Sequence, residues 1–141
     1  MSGASERGAA ALEFAIVVPA LGLLIAMTIG TARVWYAHTV VEQIASTSAR
    51  AASLEHTPSA ARAAAERIAR EQASTRGLNC AALSVDVDVR GFQVPVGQPA
   101  QVRSRVACSV PLGDLIVPGW PGQWGLDAEA TSVLDRYRRR G

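Results

Sequence analysis

The run Phe14–Ala32 carries no charge and is long enough to cross a bilayer as a helix. No other stretch of the chain constrains it as strongly. One acidic residue, Glu13, stands at its mouth. A carboxylate held against hydrocarbon costs on the order of a few kcal/mol, so its presence there suggests a task. Gly8 lies five residues upstream of Glu13, preceded by Arg7, and Phe14 follows Glu13 directly.

Glycine, four residues, glutamate, an aromatic and then an apolar helix resembles the processing signature of type IV prepilins. More closely, the stretch from Glu6 to Pro19 (ERGAAALEFAIVVP) is similar to the start of the TadE family. These are the pilin-like (pseudopilin) components of the Tad, or Flp, tight-adherence pilus. The resemblance covers Arg7 to Leu24. It implies cleavage by a prepilin peptidase between Gly8 and Ala9, with Glu13 becoming the fifth mature residue. It also implies a bacterial inner or single membrane, an assembly ATPase, a membrane platform and other pilin subunits as partners.

The spacing has a chemical reason. A new N-terminal amine at Ala9 is a positive charge beside the membrane, and Glu13 sits one helical turn on. Glu13 can compensate that amine or a neighbouring subunit's, and in a low-dielectric filament core an unpaired charge is expensive. A plainer reading makes Glu13 an interfacial charge at the end of a transmembrane helix. Two further readings concern the whole segment. It is a secretory signal peptide if Gly30-Thr31-Ala32 is cleaved, although its apolar run exceeds the usual h-region of about 7–15 residues and the n-region is barely basic. It is a passive anchor if nothing is cleaved.

The composition leaves room for one helical anchor and one small domain in 141 residues. Apolar residues reach 49%, but aromatics only 5%, and much of the apolar count is alanine, which predicts a thin core. All 14 basic residues are arginine and the net charge is +2, so no strong field points to nucleic acid. Arg136, Arg138, Arg139 and Arg140 form a basic C-terminus. It reads as a solvated tail, or as a contact for anionic lipid headgroups or an acidic partner face. Cys80 and Cys108 lie in no CxxC pair and near no histidine cluster, so no metal site is expected. Outside the cytoplasm they would form a disulfide contributing on the order of 3 kcal/mol; otherwise they are two buried thiols.

Along the chain, Arg33 to His38 forms a polar-aromatic collar in which Trp35 and Tyr36 suit a membrane interface. Val34, Ala37, Val41, Ile44, Ala45, Ser48, Ala51 and Ala52 then recur at helical spacing. One helix from about Ala9 to about Ser53 follows, half in lipid and half out. Pro19 should kink it or free a carbonyl. His56-Thr57-Pro58 breaks it, and a second helix runs from a Thr57 or Ser59 cap to about Arg76, stopped by Gly77. Ala61, Ala64, Ala65, Ile68 and Ala69 form its packing face, and Arg62, Glu66 and Arg70 an exposed ladder. Period-2 alternation predicts strands over Leu83–Val89, Val102–Val110 and about Leu126–Leu134. In an antiparallel pair, Arg103 and Arg105 can face Asp86 and Asp88; the rival reading of the two aspartates, a divalent-cation site, needs further ligands that the sequence does not offer. Pro111–Gly125 reads as an irregular segment whose Trp120 and Trp124 either cap the core or offer a sticky surface.

The expected fold class is therefore α+β: a long N-terminal pilin-like helix, a second amphipathic helix and a small antiparallel sheet of about three strands. The expected division is a leader over 1–8, the helix over 9–55 with its transmembrane segment at 14–32, and an extracytoplasmic α+β domain over 56–141. No catalytic motif is present, and His38 and His56 have no nucleophile–acid partner in the pattern, so no enzyme and no cofactor are expected. Two functions stay open. One is a pseudopilin or minor pilin of a Tad/Flp pilus, needed for assembly or adhesion. The other is a membrane-anchored extracytoplasmic binding module with an unprocessed anchor.

Overall fold

The structure, a computed structural model, describes residues 3–111 and 122–137, with side chains from Ala11 onward. Helix α1 (Gly3–Leu54) is continuous, with Pro19 inside it. The proline ring removes one backbone donor, so the Ala15 carbonyl loses its partner four residues on. Helix α2 (Pro58–Thr75) follows after three residues, a connection short enough to fold it back on α1. Thr57 caps α2: its backbone is extended and its hydroxyl accepts the Ala60 N–H at 3.3 Å, with Pro58 in the first turn. At the other end Gly77 adopts φ +66°, the left-handed conformation that glycine takes without strain. There the Gly77 N–H donates to the Ser74 carbonyl at 3.2 Å and the Leu78 N–H to that of Ala73 at 2.9 Å. Leu78 and Ala73 are buried in one cluster, so the stop signal also closes the core.

Strands β1 (Ala82–Asp88), β2 (Ala100–Pro111) and β3 (Gln123–Leu134) form one antiparallel sheet in the order β1-β2-β3. A 3-10 turn, Arg90–Gln93, leads from β1 towards β2 and buries Phe92. Val102, Ser104, Val106 and Cys108 point inward from β2, while Gln101, Arg103 and Arg105 point to solvent. The alternation is that of a sheet with one face on a core.

That core is the second half of α1. Val40, Val41, Ile44, Ala45, Ser48, Ala49 and Ala52 are all buried. One apolar cluster joins Val40 and Ile44 of α1 to Ala69 and Ala73 of α2, Leu78, and Val106, Cys108 and Leu126 of the sheet. A second joins Ala52, Ala61 and Ala65 to Val87, Phe92, Val102 and Leu134. Alanine meets alanine between the helices, which lets their backbones approach closely at little gain in buried area per residue.

The predicted second helix, strands and turn positions match within a few residues. Ile68 is only half-buried, whereas Ala73 joins the α2 packing face. The third strand starts three residues earlier than expected, at Gln123, so Trp124 lies on β3 rather than in a loop. Trp120, Leu112, Leu115, Ile116, Val117 and Arg138 to Arg140 fall outside the described residues.

Asp86 does stand opposite Arg105, and Asp88 opposite Arg103. The ion pairs, however, go elsewhere. Arg103 Nε meets Glu129 at 3.2 Å and Arg105 meets Asp127 at 2.9 Å, each one diagonal step across to β3. Asp88 is taken by Arg90, whose backbone N–H donates to Oδ1 at 3.0 Å and whose Nε donates to both carboxylate oxygens at 2.9 and 3.0 Å. A partner two residues away orders less chain than one on another strand, so the local pair wins.

Candidate functional site: the N-terminal half of α1

The helix α1 divides sharply. From Val34 its side chains enter the core; before that point nearly all described side chains are exposed, although Gly30 is buried and Thr31 reaches Trp124 of β3. Phe14 is 72% exposed, Ile16 67% and Leu24 63%. Among the described residues this is the one helix long and apolar enough to cross a membrane. Its polar groups satisfy themselves: the Thr28 hydroxyl donates to the Leu24 carbonyl at 2.8 Å and the Thr31 hydroxyl to the Met27 carbonyl at 2.9 Å. Such back-bonding is what a hydroxyl needs where no water is available.

Glu13 and Arg33 bracket the uncharged run. They are twenty positions apart, about 30 Å of helix rise, close to the thickness of a bilayer's hydrocarbon core. Gly8 and Ala9 lie within the helical backbone of α1. Ala9 and Glu13 are four residues apart in one helix and therefore share a face. Glu13 and Phe14 are exposed. The predicted cleavage pair and recognition pair thus lie along one continuous helix.

Above the run, Trp35 is 72% and Tyr36 57% exposed, whereas Ala37 is buried. His38 Nε2 lies 3.3 Å from the Glu42 carboxylate, one turn up the same helix. Val40 and Ala49, which the helical spacing alone did not single out, are buried because the domain packs against more than one side of α1. Trp124 of β3 and Leu126 form an apolar groove with Thr31, Val34, Trp35 and His38. Extending the alternation of β3 back by one step from Leu126 would have found Trp124.

The two cysteines are joined: Cys80 and Cys108 form a disulfide across a sequence separation of 28, with Cα atoms 5.4 Å apart. It ties the segment after α2 to the central strand, beside the Ala81 N–H that donates to the Ser109 carbonyl at 2.7 Å. Among the described residues no cluster of histidine, cysteine and carboxylate side chains could hold a metal ion.

No curated protein and no solved structure matches the chain. A family model does. The model of TadE-like protein matches residues 8–50, from the glycine of the expected cleavage pair to the last turn of α1, and that segment of the chain is similar to TadE-like proteins.

Proposed function

We infer that this protein is a pseudopilin or minor pilin of a Tad/Flp pilus, cut by a prepilin peptidase between Gly8 and Ala9 and needed for pilus assembly or adhesion. The observation that carries the reading is the TadE-like match beginning at Gly8, on a helix whose first half is bare and apolar. In this reading α1 crosses the bacterial cell membrane once, with the α+β domain on the extracytoplasmic side. The disulfide supports that orientation, because such bonds persist in oxidising compartments. The role is structural rather than catalytic, with other pilin subunits, the peptidase, the assembly platform and lipid as partners.

Cleavage at Gly8 would place a free amine at Ala9, about 6 Å of helix rise from the Glu13 carboxylate. Before the domain leaves the bilayer this pairing lowers the cost of Glu13 at the membrane edge. In a filament the same carboxylate can meet the amine of the next subunit and set its axial position.

The test is the N-terminal mass of the mature protein recovered from membranes, with and without Gly8→Ala. A chain starting at Ala9, lost in the variant, is the expected result. A start at Met1 or Ser2 would leave a passively anchored binding module, and a start at Arg33 would mean a secreted domain. Glu13→Ala separates assembly from anchoring: it should abolish pili while the protein stays in the membrane fraction.

A further inference from the structure

The packing of β3 along α1 provides a ruler. At its far end the Ser132 hydroxyl donates to the Ser53 hydroxyl at 2.9 Å. Trp124 lies eight residues back along the strand, about 26 Å. The same distance down α1 from Ser53, at about 1.5 Å per residue, reaches the level of Trp35. The groove shared by Trp124, Leu126, Val34 and Trp35 agrees with that measure. A tryptophan remote in sequence therefore comes down beside the aromatic collar, directly above the last uncharged turn and the Arg33 cation.

We propose that the Trp124 end of the sheet rests in the headgroup layer of the bilayer that α1 crosses. With Trp35 it forms a two-point aromatic footing, and the groove between them, about 460 Å³, takes the glycerol and upper acyl region of a lipid. This rests on the reading of α1 as a membrane span. Indole rings favour the headgroup level because one edge is polar and the body apolar. Trp35 and Trp124 remain 72% and 44% exposed, a large cost in open water for apolar surface at this height. Arg33, at the same level, suits the lipid phosphate. A lipid is present at this height around each anchored copy, so the groove is covered without any assembled partner. The second contact lies off the axis of α1 and so resists swinging of the domain.

The experiment uses the full-length chain in phosphatidylcholine nanodiscs whose acyl chains carry bromine at defined depths. Trp35→Phe/Trp120→Phe leaves Trp124 as the sole tryptophan, since the chain has three. Far-UV circular dichroism and a thermal transition matching those of the unchanged chain report that the sheet has formed. Lipids brominated close to the headgroup should quench about half of the Trp124 emission, more than those brominated near the bilayer centre, and aqueous iodide should quench little. Full quenching by iodide with none by bromine would place Trp124 in water and overturn the footing. Insensitivity to both quenchers would mean that protein, such as a second copy, covers the groove, and would overturn it equally. A separate control moves the reporter: Leu23→Trp in a chain with all three native tryptophans changed to phenylalanine. Strong quenching there by deep bromines, with none at Trp124, refutes the footing alone. No quenching in the control refutes the membrane span itself.

Discussion

Consider reduction of the Cys80–Cys108 bond in the full-length chain held in detergent micelles. The bond closes a loop with a sequence separation of 28. For a loop of that length, the chain-entropy relation gives about 12 cal/mol/K, or about 3.6 kcal/mol at 25 °C. Native packing should change little, because Cys108 stays in the cluster with Val106 and Leu126 whether it is bonded or not. The loss therefore falls on the unfolded side, where residues 80 and 108 become free to separate. For a domain of this size it corresponds to a fall in Tm of roughly 15–25 °C. Thermal unfolding followed by near-UV circular dichroism, with and without reductant, measures it. The double change Cys80→Ala/Cys108→Ala should lose a similar amount. Serine at Cys108 should lose more, because a hydroxyl would be buried in an apolar cluster. A difference of less than about 1 kcal/mol between oxidised and reduced protein would refute the reasoning, since the reduced unfolded chain would then already hold α2 close to the strands.

Three other changes test the packing and the charges. Ile44, fully buried where α1 meets the sheet, should cost about 2–5 kcal/mol when changed to alanine, read from urea unfolding; a loss under about 1 kcal/mol would mean that the site collapses onto the gap. Gly91→Ala would drive its Cβ into the Gln101 carbonyl and to 3.1 Å from Leu134, so about 1–3 kcal/mol of destabilisation is expected, with hydrogen exchange accelerating first around β2. The Arg90 guanidinium, and then its backbone N–H, hold the Asp88 carboxyl at about 2, below its ordinary 3.8. A lowered folded pKa means that the unfolded chain takes up the proton first. The resulting stabilisation is whole above about pH 4 and is lost as the pH falls through about 2, so Asp88→Asn should flatten that limb of the stability curve; an unchanged acid limb would count against the pair.

The architecture was legible wherever a local period recorded burial. Leu83 to Val89 and Val102 to Val110 alternate because one face of the sheet is covered, and the structure pairs them with Asp86 opposite Arg105. The ion pairs were not legible, because Asp127 and Glu129 compete for the arginines only once β3 is placed beside β2. Trp124 was misplaced for a related reason: Gly122 and Gly125 suggested a loop, whereas pairing with Val110 holds the residue in a strand. Val40 and Ala49 escaped notice because a single-stripe pattern assumes one covered face, and α1 is covered on more. The expectation for Gly8, Ala9, Glu13 and Phe14 rests on contiguous residues alone, which lie within the segment that the TadE-like model matches. The lipid-level position of Trp124 depends on a strand folding back along the helix, which no local pattern records.

The continuity of α1 has a mechanical consequence. A single rod passes from the bare segment into the core, with neither glycine nor proline between Thr31 and Leu54. The azimuth of the outer domain is therefore geared to the exposed apolar surface of the helix. One residue inserted between Arg33 and Val34 would rotate the domain by about 100° relative to Glu13 and raise it by about 1.5 Å. Seven inserted residues, close to two full turns, would nearly restore the phase while lifting the domain by about 10 Å. Orientation and height can thus be varied almost independently, as on a screw thread.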